Sequence, residues 1–349
     1  MSHGKGVDKG GALRDRLVND NVATSRTVVA AFRDRWGFVG RAVVGYVIRR
    51  LVLAVFVLWG VASVVFVIVR LVPADPALLI AGETATPEQL AALRADMGLD
   101  RPWLVQYGTY LLDAVRGDFG SSYVRSMPAS QIIGQALPNT ALLAVLACAL
   151  ALVVSFPLGL LAALRVNKLE DRAVTAGSLV VQALPGFWIG IVLMLVFSRT
   201  LKWLPSAGLD SPKALIMPVV VLSLPFLAIL TRMTRSGLLE VVGEGYIQTA
   251  RAKGLPERTV IFPHAIRNAM IPIVTVVGLQ FGTLLGGAVI TETVFSFPGI
   301  GRLLVQSIET RDYNVVQACV IVIAAAFVII NMVVDLLYGF LDPRVRLSR

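Results

Sequence analysis

The most suggestive pattern of polar residues in this chain lies in Gly245–Pro272, a basic stretch between two very apolar ones. Glu244 precedes it, Arg251 and Lys253 follow about two turns later, and Gly254 comes next. An acid at the start, bases in the last turn and a glycine stop favour a short helix. A helix of this length is not stable alone in water. We therefore predict that it packs against the protein and offers a surface to a partner; a solvated basic loop is the alternative.

No residues are arranged for catalysis. The apolar segments contain no paired acids, no His-x-x-x-His and no Ser/His constellation, which argues against an intramembrane enzyme. The chain has no Gly-x4-Gly-Lys-[Ser/Thr] phosphate-binding motif, so any ATP chemistry must come from another subunit. Cys148 and Cys319 stand alone in apolar runs, which indicates neither a metal site nor a disulfide. We expect no catalytic residue, no metal ligand and no cofactor on this chain.

The composition places these residues in a membrane protein. The chain is 56% hydrophobic and 15% charged, whereas soluble domains are about 45–50% apolar and about 25% charged. The net charge of +10 fits basic loops that set the orientation of a membrane protein. It does not indicate a nucleic-acid partner, because no dense basic face interleaved with aromatic residues is present.

Six apolar segments are long enough, or nearly so, to cross a bilayer, for which about 20 residues are needed. We predict an all-α integral membrane protein with about six transmembrane helices. None of the segments contains Lys, Arg, Asp or Glu; they are Leu51–Val69, Leu137–Leu164, Ala173–Ser198, Ala214–Thr231, Asn268–Thr291 and Tyr313–Val334. The fourth is the shortest and carries Pro218 and Pro225, so it is the least certain as a straight helix.

The distribution of Lys and Arg predicts that both termini are cytoplasmic. With that orientation, the short inner loops hold 9 basic residues and the short outer loops hold 5, in agreement with the positive-inside rule. The predicted segments, in chain order, are a basic tail that is disordered or amphipathic (residues 1–42), a first span (43–70), a folded extracytoplasmic loop (71–136), a five-helix core with a basic cytoplasmic loop at 232–267 (137–341), and a cytoplasmic tail (342–349).

The extracytoplasmic loop is predicted to contain helices. Thr86 followed by Pro87 and, at the capping-box position, Gln89 is a typical helix start. A second helix is predicted over Trp103–Val115. The loop is either a lid that stiffens the outer face or a dock for a protein that delivers substrate.

A few residues inside or beside the spans are candidates for the transport path and for helix packing. The spacing of Gly278, Gly282 and Gly286 puts all three on one helix face, either as a seam with a second subunit or as packing within this one. The candidates for the pathway are Gln182, Gln280 and Glu292, although Glu292 is equally suited to a role at a helix end. The spans offer no relay of buried acids or bases for ion coupling, which argues against a secondary transporter.

The basic stretch resembles the cytoplasmic coupling loop of ABC importer permeases, in the form found in the first of the two membrane subunits of dipeptide and oligopeptide permeases. The resemblance rests on Gly245, Tyr246, Thr249, Ala250, Arg251, Ala252, Lys253, Gly254 and Leu255, followed by His264-Ala265, Arg267-Asn268-Ala269 and Pro272. The chain departs from the general pattern at Gln248, where a Glu is usual, and at Arg267, where a Pro is usual. Further matches run in order across residues 44–346, among them 117–122 and 292–301.

This resemblance implies a type I importer permease that works as one part of a larger assembly in the cytoplasmic membrane. The expected partners are a second, similar permease, two cytoplasmic ATPases that bind ATP and Mg²⁺, and an extracytoplasmic substrate-binding protein. The residues expected to contact an ATPase are Gly245, Tyr246, Thr249, Ala250, Arg251, Lys253, Gly254 and Leu255. The expected cargo is a dipeptide or short oligopeptide, and haem or nickel complexes are alternatives within the same family.

Overall fold

The computed structural model describes residues 45, 47–71, 76–82 and 85–341. The basic tail predicted over residues 1–42 and the tail over residues 342–349 lie outside the described part. The described residues from 57 onward form one compact unit, and those before 57 belong to a second unit. Within the described ranges the regular structure is helical, apart from an isolated antiparallel bridge between Ser121 and Pro128.

The helices are numbered in chain order. They are α1 Val47–Leu71, α2 Pro76–Ala81, α3 Pro87–Asp96, α4 Trp103–Arg116, α5 Ala129–Leu164, α6 Leu169–Ala183, α7 Gly186–Leu193, α8 Ile216–Val242, α9 Gly245–Ala252, α10 Glu257–Thr259, α11 Arg267–Val294, α12 Ile300–Glu309 and α13 Tyr313–Leu341. π-Helical turns follow α7 at Met194–Thr200 and precede α11 at Val260–Ile266, and a 3₁₀ turn at Pro212–Leu215 leads into α8.

The predicted all-α membrane fold is confirmed. Among the described residues, the helices α1, α5, the 3₁₀ turn with α8, and α13 are each long and apolar enough to cross a membrane. Two bent helix pairs raise the number of spans to as many as six if each pair is one span. One pair is α6 with Gly186–Thr200, and the other consists of the two halves of α11, which bends by 44°.

The third predicted span, Ala173–Ser198, is not a straight helix. The chain turns by 100° between α6 and the segment that begins at Gly186. Pro185 has extended backbone angles at this break, and a proline there cannot donate the backbone hydrogen bond that would continue α6. The apolar composition predicts the length of this segment but not the break at Pro185-Gly186, and a single span here stays a prediction.

The fourth predicted span, Ala214–Thr231, is too short. Helix α8 runs without a break for 27 residues to Val242 and contains Pro225 in its interior. The coupling loop predicted at 232–267 therefore begins as helix, and only Gly243 and Glu244 separate α8 from α9. Basic residues from Arg232 onward interrupt the apolar pattern of the sequence, yet they do not end the helix.

The core lies where α5, α8 and α11 meet. Its buried side chains include Leu143, Phe226 and Leu230, together with Ala288 of α11 and Phe297 after it. Helix α5 packs most extensively against α8. The two helices come close together at Gly159, where a Cβ would lie 2.5 Å from the Thr234 Cβ and 2.8 Å from the Thr231 carbonyl oxygen. A small residue is required at this crossing because the two helix backbones are in near contact.

The connection between α1 and α5 is folded, as predicted. The Thr86 hydroxyl accepts a hydrogen bond from the Gln89 N–H (3.3 Å), and the Gln89 side chain accepts one from the Thr86 N–H (3.0 Å). This reciprocal pair is a capping box. The second predicted helix is α4, which ends at Arg116, one residue beyond the prediction, with Gly117 in the left-handed region (φ 77°).

Candidate functional site

Helix α9 is the predicted short helix of the basic stretch. It covers Gly245–Ala252, begins after Glu244 and ends at Lys253, and Gly254 then adopts φ 75°. Glycine tolerates this left-handed conformation, whereas a residue with a Cβ would be strained there. The local pattern of acid, bases and glycine therefore predicted both ends of the helix to within one residue.

One apolar side chain anchors α9 to the rest of the chain. Ile247 is completely buried, in a cluster with Leu238 of α8 and Val260, Ala265 and Ala269 near the start of α11. A hydrogen bond adds a second attachment beside it, because the Asn268 amide donates to the Tyr246 hydroxyl at 2.7 Å. Helix α9 is thus docked between the end of α8 and the start of α11, and a displacement of α9 acts on both of them.

The remaining surface of α9 and its exit turn is open to solvent. Of the residues predicted to contact an ATPase, only Ala250 is partly covered; the exposed ones are Gly245, Tyr246, Thr249, Arg251, Lys253, Gly254 and Leu255. The face is polar and basic at its C-terminal end, and small residues let another surface approach its backbone. This arrangement suits a protein partner better than a small ligand, because the face is convex and forms no enclosure.

Arg251 is paired within the chain. Its guanidinium donates to the Glu257 carboxylate at 2.6 and 3.3 Å across the turn at Gly254. This hydrogen bond lowers the pKa of Glu257 and raises the pKa of Arg251. Both side chains are well exposed, so solvent screens the pair. The pair nevertheless fixes the direction in which Arg251 points.

A second ion pair lies close to α9 and was not anticipated from the sequence. The Arg235 guanidinium of α8 binds the Asp171 carboxylate of α6 with two hydrogen bonds of 2.5 and 2.8 Å. Asp171 is buried and also accepts from the Asn167 N–H at 2.9 Å. The pair joins α6 to the end of α8 that leads into α9. An acid in the first turn of a helix is only a weak indicator of an ion pair, and nothing in the sequence identifies Arg235 as the partner of Asp171.

The glycine face of α11 packs against the same chain at two of its three positions. A Cβ at Gly278 would collide with Val334 of α13, and one at Gly282 would lie 2.9 Å from the Phe327 ring of α13. Of the two predicted alternatives for this face, packing within the chain applies at Gly278 and Gly282. Gly286 has open space beside it, so the seam stays a prediction there.

Glu292 does not face a pathway. It is completely buried, and its Oε1 accepts a hydrogen bond from the Thr140 hydroxyl at 2.5 Å. Its Oε2 accepts from the N–H groups of Gly301 (2.7 Å) and Arg302 (3.0 Å), and the Ile300 N–H donates to Thr140 Oγ1 at 2.9 Å. These are the first three N–H groups of α12, which have no partner inside their own helix. The predicted pathway role is corrected to the helix-end role, with Glu292 capping α12.

The two glutamine candidates lie in different surroundings. Gln182 is exposed and lies one residue before the end of α6, beside the 100° break. Gln280 is partly buried within α11. Only these two of the three pathway candidates present side chains that solvent or cargo could reach, and their role in transport stays a prediction.

A buried polar cluster between the end of α12 and the segment before α5 was also not predicted from the sequence. Asp312, which is 3% exposed, accepts a hydrogen bond from the Ser122 hydroxyl and one from the Tyr123 N–H (3.3 Å). The Asn314 amide donates to the Ser121 carbonyl oxygen at 2.9 Å. Burial, and then the charge of Asp312, raise the pKa of Tyr123 to about 12. The cluster fixes the segment before α5 to the turn between α12 and α13, over a sequence separation that no local pattern encodes.

The chain matches known families over most of its length. Residues 155–347 match the family described as binding-protein-dependent transport system inner membrane component. Residues 43–144 match the N-terminal family of the same membrane components. The described α9 and both ion pairs fall within the first of these matches.

Several relatives are similar over nearly their full length. A probable peptide ABC transporter permease of Sinorhizobium fredii is 41% identical over 86% of this chain and 99% of its own. A dipeptide transport system permease of Alkalihalophilus pseudofirmus is 40% identical with the same coverage. A glutathione transport system permease of Salmonella choleraesuis is 42% identical over 86% of this chain and 98% of its own.

The fold also occurs in a solved transporter. The inward-facing MetNI methionine ABC transporter contains a chain with a TM-score of 0.53 at 16% identity, covering 61% of this chain and 97% of that one. At this identity the likeness concerns the fold alone, and it is the type I importer permease fold. Taken with the family matches and the relatives, it shows that this chain is a membrane permease subunit belonging to the family of inner membrane components of binding-protein-dependent ABC transport systems.

Proposed function

We propose that this permease carries dipeptides or short oligopeptides into the cell, driven by ATP that partner subunits hydrolyse. The observation that carries the proposal is the exposed polar face of α9, which is docked through Ile247 between α8 and α11. A partner that pushes on this face moves two membrane-spanning helices at once. The names of the relatives, which are peptide, dipeptide and glutathione permeases, support peptides as cargo.

The proposed assembly contains a second permease of the same kind, two cytoplasmic ATPases and an extracytoplasmic substrate-binding protein. In it, ATP and Mg²⁺ bind to the ATPases and no cofactor binds to this chain. Helix α9 faces the cytoplasm, as do both termini, and the connection between α1 and α5 lies outside the cell. The contact with an ATPase is made by the exposed residues of α9 and its exit turn, from Gly245 to Leu255.

The test is purification of the tagged full chain from native membranes, identification of its partners by mass spectrometry, and reconstitution of the complex in liposomes. We expect a related permease and ATPases to co-purify, and labelled dipeptide uptake to require Mg-ATP and the binding protein. Uptake by the chain alone, driven by an ion gradient, would overturn the proposal. Uptake of a haem or nickel complex in place of dipeptide would retain the ATP-driven mechanism and change the cargo.

The role of α9 has its own test in the same preparation. The substitution Gly254→Pro cannot adopt φ 75°, so it disrupts the exit turn, and we expect ATP hydrolysis to continue while uptake is lost. The double substitution Arg251→Glu with Glu257→Arg is the matched comparison for the ion pair. If Arg251 acts only through Glu257, the double variant transports normally and Arg251→Glu alone does not; if Arg251 contacts the ATPase, both fail.

A further inference from the structure

Helix α4 exposes an unusual amount of apolar surface for a helix outside the membrane-spanning set. Its exposed large apolar side chains are Trp103, Leu104, Val105, Leu112 and Val115, and Leu104 and Val115 are 84% and 88% exposed. At about 100° per residue, Leu104, Leu112 and Val115 fall on one side of the helix. A contiguous exposed apolar face of this kind marks a contact with a partner or with lipid.

The neighbouring helix α3 shows that this exposure is not a general property of the connection. Helix α3 lies in the same connection and buries no residue, yet none of its large apolar side chains is strongly exposed. Its surface is made of small and polar side chains, as expected for a helix in water. The contrast assigns α4 to a less polar environment than the one around α3.

The opposite side of α4 is fixed to the end of α1. The buried Gln106 accepts hydrogen bonds from the Arg70 guanidinium at 2.6 and 2.9 Å, and its amide donates to the carbonyl oxygens of Leu99 (3.1 Å) and Arg101 (2.8 Å). All of the hydrogen-bond partners of the Gln106 amide thus belong to the chain itself, on the side of α4 opposite Leu104. The helix therefore cannot rotate about its axis to bury Leu104 or Val115 against its own chain.

The depth of α4 is set by its aromatic residues. The Tyr107 hydroxyl lies 2.5 Å from the Ser63 hydroxyl, and the Tyr107 and Tyr110 rings lie 5.2 and 5.4 Å from the Phe66 ring. Ser63 precedes the end of α1 at Leu71 by about 12 Å along the helix axis. Side chains of α4 thus reach about two turns back from the Leu71 end of α1, a helix that is long and apolar enough to cross a membrane.

The end of α1 beside α4 also exposes apolar side chains. They are Val64, Val67, Ile68 and Leu71, and they are centred about 120° around α1 from the side of Ser63, Phe66 and Arg70 to which α4 is attached. On α4, the only charged residues are Asp113 and Arg116 in its last turn. Tryptophan and tyrosine beside an apolar face are typical of a helix lying in the membrane interface.

We propose that α4 lies in the membrane interface at the Leu71 end of α1, with Leu104, Leu112 and Val115 inserted among lipid chains. The partner of this face is thus the bilayer, which anchors the connection between α1 and α5 beside the first span. The proposal concerns the position of α4 relative to lipid and does not depend on cargo, ATP hydrolysis or the direction of transport.

The test is site-directed spin labelling of the full chain in vesicles of phosphatidylethanolamine and phosphatidylglycerol. Labels are placed one at a time by Leu104→Cys, Leu112→Cys and Val115→Cys. The matched controls are Thr109→Cys at the edge of α4, about 100° around the helix from the centre of the apolar face, and Ala92→Cys on α3. The native Cys148 and Cys319 are buried, and the labelled wild type gives their background. The measurement compares collision rates of each label with oxygen, which concentrates in lipid, and with a nickel chelate, which stays in water.

The expected result is that oxygen collisions exceed chelate collisions at the three face positions and that the order is reversed at both controls. If all five labels are equally accessible to the chelate, α4 lies in water and the proposal is wrong. It is also wrong if the three labels are accessible to the chelate in vesicles and become protected only when the substrate-binding protein is added, because the face is then a protein dock.

Discussion

Helices α9 and α12 lie at the two ends of α11 and are held there by different chemistry. Helix α9 is docked by one buried apolar side chain, Ile247, and leaves its polar side exposed. Helix α12 begins on a buried acid, Glu292, and packs Ile300 and Leu303 into a second apolar cluster. Helix α9 therefore leaves a face open to a partner, whereas α12 is fixed within the interior of the protein.

The difference concerns where hydrogen-bonding groups find their partners. The first N–H groups of α12 are satisfied by Thr140 of α5 and Glu292 of α11, so moving α12 breaks bonds in three helices together. Nothing of this kind holds α9, whose attachment is non-directional packing with one added hydrogen bond. Packing without directional bonds tolerates small displacements, which suits a helix that receives movement from a partner.

The largest expected effect on stability comes from removing Glu292, the acid that caps the start of α12. Glu292→Ala leaves three buried donors, the Thr140 hydroxyl and the N–H groups of Gly301 and Arg302, without their acceptor, and we expect a loss of about 3 kcal/mol or more in unfolding free energy. Glu292→Gln keeps one acceptor oxygen and is expected to lose less. Thermal unfolding of the full chain in detergent measures both, with the exposed Glu309→Gln as control. A change in Glu292→Ala no larger than in the control would contradict the assigned capping role.

The next effect tests whether α9 depends on a single contact. Ile247→Ala removes its anchor, and we expect about 2 kcal/mol of local destabilisation, which corresponds to roughly 30-fold faster amide exchange. Hydrogen exchange followed by mass spectrometry measures α9 peptides against α12 peptides. Only the former should change, and Gln248→Ala on the exposed side of α9 should change neither. Equal acceleration at both helices would mean that they are not independently held.

The alkaline limit of the Asp312 cluster gives a smaller effect. The Tyr123 pKa is raised from 10 to about 12, first by burial and then by Asp312. A raised folded-state pKa stabilises the protein below pH 10, and this stabilisation is lost as the pH rises from 10 to about 12. Asp312→Asn removes the negative charge and should lower the Tyr123 pKa, but leave it above 10 because burial persists. Tyrosinate absorbance, with Tyr123→Phe as reference, measures the shift. An unchanged Tyr123 pKa in Asp312→Asn would show that the charge of Asp312 does not raise it.

The smallest effect on stability belongs to the exposed pair beside α9. The pKa of Glu257 is lowered by Arg251, so the pair stabilises the exit turn at neutral pH and this contribution is lost as the pH falls through the Glu257 pKa. Because the pair is exposed, Glu257→Gln should leave the melting temperature of the whole chain almost unchanged. Amide exchange at Lys253 and Gly254 at neutral pH should nevertheless increase. A large drop in melting temperature would mean that this side of α11 is as firmly fixed as the α12 side.

The sequence predicts the parts of this molecule whose determinants are local. The ends of α9 follow from Glu244, Arg251 and Gly254, and the start of α3 follows from the Thr86 capping box, because caps involve residues only a few positions apart. The number of apolar segments follows from their length. The resemblance of residues 245–272 to coupling loops identifies the class of protein.

The features that the sequence does not predict depend on contacts between residues that are far apart in the chain. The sequence shows only an acid beside an apolar segment, which fits both a pathway role and a helix-end role for Glu292. The position of its carboxylate at the start of α12 decides in favour of the helix-end role. Gly278 and Gly282 share a helix face with Gly286, but it is the approach of α13 that assigns the first two to packing within the chain. Likewise, the bidentate contact of Asp171 with Arg235 joins helices whose pairing is set by the tertiary fold.

The close crossing at Gly159 gives α8 two unequal arms. Thr234 lies about 12 Å along the axis from the end of α8 that leads into α9, and about 27 Å from the other end at Ile216. If α8 tilts as a rigid rod about this crossing, its far end moves about twice as far as the end beside α9. On the proposed role of α9, the position of Gly159 would therefore convert a small displacement of α8 beside α9 into a displacement about twice as large at Ile216.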